Sequence, residues 1–271
     1  MGESISSIST NELRALIGTR RCPIVIDVRR PPAYEAADAA IPTARWRDLR
    51  RADQWADDLP DDAAIVVYCV HGHEMSQSAA ARLRAHGRRA RHLAGGIEAY
   101  RQDGGALVLK AGLPGRDEGR PSRWITRERP KIDRIACPWL IRRFIDRDAV
   151  FYFVPADSVV AAARELDAVP YDIPGVDFSH DGELCSFDAF TKRFGLAEPP
   201  LARLATNVRG ADTARLDLAP QAAGLLALSL GLSAICPDDH EILEQGMIFY
   251  DAMYGWARGA VAETHGWPPQ A

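Results

Sequence analysis

The apolar run Ile65-Val66-Val67-Tyr68 ends on Cys69, and Cys69-Val70-His71-Gly72-His73-Glu74-Met75-Ser76 leads into an alanine-rich stretch at 79–85. A buried strand, a short polar turn and a helix in that order constrain the chain to an α/β unit. The turn then lies at the carboxyl end of a strand, where such sheets bind ligands. A cysteine in that turn is placed as a thiolate nucleophile. The N–H groups of the loop and of the helix N-terminus favour negative charge, which activates a thiol and cradles an anionic substrate. The chemistry to expect is that of sulfur or of oxyanions.

Strands and helices alternate around this turn. Ser9 or Thr10 caps an amphipathic helix, 23–29 reads as a buried strand, a helix runs from about 76 to 86, and a short strand lies near 90–93. Gly95-Gly96-Ile97-Glu98-Ala99-Tyr100 then turns into another helix, so a parallel sheet is predicted.

A chain of 271 residues exceeds the usual size of one domain. The composition breaks between Gly104 and Pro121, where glycine and proline lie among charges. The organisation expected is an α/β domain over 1–108, a linker over 109–121 and a mainly helical domain over 122–271. Five cysteines without a C-x-x-C pair argue against a disulfide scaffold and a four-cysteine zinc site. A formal charge of −4 argues against a wholly basic nucleic-acid binder. No apolar run approaches the roughly 20 residues of a membrane span, and 1–22 has no continuous apolar segment. A cytoplasmic protein with no membrane partner is expected.

Three stretches of the first half together resemble the rhodanese family. They are Val25-Ile26-Asp27-Val28-Arg29 with Tyr34-Glu35 and Ile41-Pro42-Thr43-Ala44, then Cys69 with Gly72 and Ser76, then Leu93-Ala94-Gly95-Gly96-Ile97-Glu98-Ala99-Tyr100. The resemblance implies that Cys69 takes a sulfane sulfur from a small donor, holds it as a persulfide and passes it to a thiol acceptor, with no cofactor required. It also implies an active-site loop and substrate-binding set of Val70, His71, Gly72, His73, Glu74, Met75 and Ser76, with Asp27 and Arg29. The loop is one residue longer than the usual single-domain rhodanese spacing and matches the C-x5-R spacing of related phosphatases and arsenate reductases. Met75 stands where that pattern has arginine, so bidentate clamping of phosphate is missing and His71 and His73 are the cationic substitutes.

In the second half, Pro138 suits a first helical position with Cys137 near the N-cap. Phe151 to Val154 reads as a strand, Ser158 caps a helix to about Asp167, and further helices are predicted near 187–194, 199–209, 219–231 and 238–258. The stretches from Trp124 to Asp146, from Phe178 to Phe190 and from Asp238 to Arg258 resemble the ChrB C-terminal family. That resemblance implies a role in chromate tolerance, and some members look like regulators of a chromate transporter operon.

In the last helix His240, Glu244 and Asp251 form a stripe among apolar residues, so the helix reads as buried all round. A buried stripe of this kind needs partners. Metal ligation by His180, Glu183, His240 and Glu244 satisfies it, and nitrogen and oxygen donors favour iron, manganese or zinc. A hydrogen-bonded network with Arg134 or Arg142 as counter-charge is the alternative. Those two arginines are also the candidate anion-binding residues for chromate, within a segment 120–147 rich in arginine.

The function expected is a sulfurtransferase on Cys69 fused to a chromate-resistance domain, acting in chromate or oxyanion stress. The alternative is a chromate-responsive sensor or transcriptional regulator that binds oxyanion, metal and DNA without turnover.

Overall fold

The computed structural model describes residues 6–111 and 120–263. Most of the predicted linker, 112–119, lies outside the described residues. The chain divides into two compact units, one of 1–122 with Ile141–Asp148 and one of Arg123–Leu140 with 149–271.

The first unit runs β1 (Ser7–Ile8), α1 (Thr10–Leu16), β2 (Ile24–Asp27), α2 (Pro31–Glu35), β3 (Ala39–Ala40), β4 (Arg45–Trp46), α3 (Ala52–Trp55), β5 (Ala64–Tyr68), α4 (Glu74–Ala85), β6 (Arg89–Leu93), α5 (Gly96–Gln102) and β7 (Val108–Leu109). Five strands form a parallel sheet in the order β1-β6-β5-β2-β4, and β3 pairs antiparallel with β7. Ser9 starts α1 through a reciprocal capping box with Glu12. Ile26, Val28, Ile65 and Val67 pack on Ala79, Ala80 and Leu83 of α4 and on Trp55 of α3. The alternate residues Val25, Val66 and Tyr68 are buried as well. With period-2 alternation that means both faces of the sheet are covered, as a parallel sheet requires.

The segment Ile141–Asp148, which sequence places in the second half, packs with the first unit. The Thr43 N–H donates to the Phe144 carbonyl at 3.0 Å, and Arg45 pairs with Asp146 and Asp148, each at 3.0 Å.

The second unit contains β8 (Arg123–Arg127), α6 (Asp133–Leu140), β9 (Val150–Val154), α7 (Val159–Glu165), β10 (Val169–Pro170), α8 (Ser186–Arg193), α9 (Pro199–Asp212), α10 (Ala222–Ile235) and α11 (Asp239–Gly259). It is largely helical but includes a parallel sheet, β10-β8-β9. Ile125 and Val159 share its small core with Ala163 and Ile173. Among the described residues no helix is long and apolar enough to cross a membrane.

Two local expectations change. Pro138 does not begin a helix but lies inside α6, which opens at Asp133. A proline there leaves the carbonyl four residues earlier, that of Arg134, without its helical donor. The Tyr171 hydroxyl donates to it at 3.4 Å. The turn after Pro138 widens to a π-helix over Ile141–Ile145, with the Asp146 N–H bonded to the Ile141 carbonyl at 2.8 Å.

The second change is in α11, whose buried face carries Leu243, Gly246, Met247, Tyr250, Tyr254 and Ala257. A Cβ at Gly246 would lie 2.9 Å from Ile135, so α6 and α11 approach closely there. His240 and Glu244 fall on the exposed side. The predicted buried stripe is therefore absent from that end of the helix.

Candidate functional site

Cys69 is the first residue past β5, and its side chain is 6% exposed. Its Sγ lies 3.3 Å from Ser76 Oγ on the first turn of α4, and Ser76 Oγ is within 3.2 Å of the His73 carbonyl. The loop is anchored from below. The Ile97 N–H donates to the Cys69 carbonyl at 3.0 Å and the Glu98 N–H to the Val70 carbonyl at 3.2 Å. The first turn of α5 thus receives two loop carbonyls, an arrangement that orients the peptide planes and satisfies helix-end donors. Gln77 Nε2 holds the Gly72 carbonyl at 3.1 Å.

Glycine is required at two contact points. Gly72 has φ +71°, and a Cβ on it would meet the Gly95 N and Leu93 O atoms at 2.6 Å. Gly96 has φ +64°, and a Cβ there would meet the Cys69 carbonyl at 2.5 Å. The Gly95-Gly96 turn and the Cys69 loop therefore interlock backbone to backbone.

The rest of the predicted loop surrounds this thiol. His71, His73 and Glu74 are exposed, and Val70 and Met75 are half-buried. The two imidazole rings lie 6.0 Å apart. Glu74 and Met75 also line a cleft of ≈ 420 Å³ with Arg29, Arg30, Asp48 and Arg50.

Asp27 and Arg29, predicted as substrate-binding, form a buried pair. Arg29 Nη2 lies 2.6 Å from Asp27 Oδ2 and 3.2 Å from the Ala39 carbonyl, and the Tyr68 hydroxyl donates to Asp27 Oδ2 at 2.9 Å. Burial pushes the Tyr68 phenol well above its ordinary range, and the charge of Asp27 adds to this. These contacts commit both side chains to bracing the strand ends. Arg29 also lines the cleft beside Glu74 and Met75.

The two arginines proposed for anions fall in different units. Arg142 lines a cavity of ≈ 90 Å³ in the first unit with Arg20, Cys22, Thr43, Arg143 and Arg147. Burial pushes the Cys22 thiol up, against the opposing influence of Thr43, Arg147 and Arg143. Arg134 belongs to the second unit, where it contacts Asp172 at 3.4 Å and the Glu128 carbonyl at 2.7 Å.

The proposed metal set does not assemble. Glu183 is 91% exposed and faces Arg215 at 3.8 Å, and His240 makes an edge-on ring contact with Phe153 at 5.4 Å. Sequence spacing had joined them because one-turn neighbours on a helix share a face, but that face is the outer one.

His180 instead meets three carboxylates that sequence reasoning missed. Its Nε2 lies 3.0 Å from Asp212, 3.5 Å from Asp172 and 3.7 Å from Asp133. Burial, then the charges of Asp212 and Asp172, push the Asp133 carboxyl well above its ordinary range. The Asp172 hydrogen bond outweighs burial and, with the charges of Asp133 and Asp212, raises His180 to about 9. Burial alone would raise Asp172, but hydrogen bonds from His180, Ser186 and Arg127 leave it lowered. The available signal was an aspartate opening α6 ahead of the apolar run 135–141, and another closing α9.

Comparison with known proteins follows this division. Residues 9–103 match the rhodanese-like domain, and residues 124–257 match the ChrB C-terminal domain. The chain joins a rhodanese-like domain to a ChrB C-terminal domain. It is 35% identical over 147 residues to Protein ChrB of Cupriavidus metallidurans, covering 52% of this chain and 43% of that protein. The chain thus spans less than half the length of that relative. Among solved structures, a rhodanese-related protein of Thermoplasma volcanium is 25% identical with TM-score 0.35, covering 39% of this chain and 99% of that one. A rhodanese-like domain protein of Staphylococcus aureus is 24% identical with TM-score 0.32, covering 35% and 90%. Cys69 and the Gly95-Gly96 turn lie within the rhodanese-like match, and Asp133, His180 and Asp212 lie within the ChrB C-terminal match.

Proposed function

We propose that this chain is a sulfurtransferase that carries sulfane sulfur on Cys69 and serves tolerance of chromate or related oxyanions. The observation that carries the reading is the seating of Cys69 Sγ beside Ser76 Oγ, in a loop whose carbonyls are tied to α5. The loop's carbonyls are thereby drawn away from the thiol side. The N-terminus of α4 follows the cysteine at Glu74, and it favours negative charge on the thiolate and on an incoming donor.

With thiosulfate, the Cys69 thiolate attacks the outer sulfur. The S–S bond of the donor breaks, its electron pair leaves with sulfite, and a persulfide remains on Cys69. A thiolate or cyanide acceptor then attacks the terminal sulfur. The bond to Sγ breaks, its electron pair returns to Cys69, and no external oxidant or reductant is consumed. His71 and His73 are exposed beside the loop and carry positive charge toward an anionic donor when protonated.

The test is the intact mass of the full chain after thiosulfate treatment, beside Cys69→Ser. One added sulfur on the wild type alone, removed by cyanide, is the expected result. No gain in either protein would overturn turnover on Cys69.

The second reading is a sensor that binds an oxyanion without turnover, favoured by the burial of Cys69 and by Met75 at the arginine position of the loop. A DNA-contacting role for the arginine-rich segment has less support. Arg127 pairs with Asp172 at 3.0 Å, and Arg129 Nη1 donates to the Cys236 carbonyl at 2.9 Å. Salt-sensitive retention on DNA, lost with Arg142→Ala or Arg143→Ala, is the result that would restore it.

A further inference from the structure

We propose that Asp133, His180 and Asp212 bind one divalent first-row transition-metal cation in the second unit, independently of Cys69. One ligand atom from each of the three lies within 4.8 Å of the other two. Ligands about 2.1 Å from a shared ion stand roughly 3–3.4 Å apart, so the side chains close by a modest rotation. The three come from separate elements: the first residue of α6, the loop before α8 and the last residue of α9.

An independent observation points to a ligand. Asp133 is 0% exposed, and its Oδ1 has no hydrogen-bond partner among the described residues. The other oxygen, Oδ2, accepts from the Ser186 N–H at 2.5 Å and the Phe187 N–H at 3.3 Å. A buried carboxylate oxygen left unpaired is costly, and a cation is the partner best matched to it. The backbone contacts hold Asp133 rigid, whereas His180 is 40% exposed and free to turn.

Asp172 supports the group without completing it. Its carboxylate accepts from Ser186 Oγ at 2.8 Å and from Arg127 Nη2 at 3.0 Å, and it contacts Arg134. These contacts hold the Asp172 carboxylate in place 3.5 Å from His180 Nε2, where its negative charge adds to the attraction for a cation. One nitrogen and two carboxylates select manganese, iron or zinc over copper(I), and three protein ligands leave coordination positions open. Cys137 and Cys185 are fully buried near Asp133 but do not join the ligand set.

The test uses the full chain, stripped with a chelator and dialysed separately against Mn2+, Zn2+ and, without oxygen, Fe2+, with Mg2+ as a hard-cation control. Metal content by mass spectrometry is expected near one equivalent for at least one of the three transition metals. Asp212→Asn and His180→Gln should each weaken binding by at least ~10-fold, as even second-shell changes do. His240→Gln and Glu244→Gln should bind like the wild type. Absence of binding by all three metals overturns the site, as does equal binding by His180→Gln and wild type, or a requirement for His240. If Asp212→Asn fails to fold by circular dichroism, the half-exposed His180→Gln carries the result alone.

Discussion

Gly96 and Cys69 are locked together: the Gly96 backbone at φ +64° leaves the Cys69 carbonyl where a Cβ would stand 2.5 Å from it. Neither backbone can yield easily, because the Ile97 N–H is bonded to that same carbonyl. Gly96→Ala is therefore expected to disrupt the loop and abolish sulfur loading. Gly87→Ala is the control, since its φ is +76° but nothing lies within 4 Å of the added atom. The control should lose only the left-handed backbone cost of about 1–2 kcal/mol, and Gly96→Ala should lose more. Urea unfolding of the two variants measures the difference.

Ser76 Oγ, 3.3 Å from Sγ, is the side-chain group poised to hydrogen-bond the Cys69 sulfur. A hydrogen bond to a charged group contributes about 1.5–3 kcal/mol. Ser76→Ala should slow both alkylation of Cys69 by iodoacetamide and sulfur uptake from thiosulfate, by roughly 10- to 100-fold. Unchanged rates with an unchanged circular dichroism spectrum would show that Ser76 only fills space.

Behind the loop, the Asp27 and Arg29 pair is buried and gains the Tyr68 hydroxyl as a third member. Removing one partner of such a pair leaves an uncompensated charge, at a cost of about 3–5 kcal/mol. Asp27→Ala should lower the urea midpoint by a corresponding amount. Tyr68→Phe removes one hydrogen bond to a carboxylate and should cost less, about 1.5–3 kcal/mol. If Asp27→Ala were stable but unable to bind thiosulfate, the pair would be a ligand site after all.

The Cys69 loop was legible in sequence because a strand, its turn and the next helix are neighbours in the chain. Period-2 and helical patterns locate all three without knowledge of distant contacts. The α4 start at Glu74, two residues before the expected position, is an end effect of that kind. The carboxylate group was not legible for the opposite reason. Asp133, Asp172, His180 and Asp212 are brought together by the packing of α6, α8 and α9, which no local period encodes. The stripe on α11 misled because aromatic and aliphatic residues occur on nearly every side of that helix. The close approach of Gly246 to Ile135 and the bond from the Tyr250 hydroxyl to the Ile132 carbonyl fix which side faces inward.

Pro138 and Tyr171 supply the last test, because the hydroxyl at 3.4 Å substitutes for the amide that proline lacks. Tyr171→Phe alone leaves the Arg134 carbonyl without that donor in a buried setting, at about 1–3 kcal/mol. Pro138→Ala restores an N–H four residues after Arg134, so the carbonyl regains its helical partner. Tyr171→Phe should then cost less in the Pro138→Ala background than in the wild type. The double-mutant cycle reads this as a coupling of at least about 0.5 kcal/mol. Strict additivity would mean that the Arg134 carbonyl depends on neither group. Coupling would show that the proline inside α6 is tolerated because Tyr171 completes the helix from outside, on the residue next to Asp133.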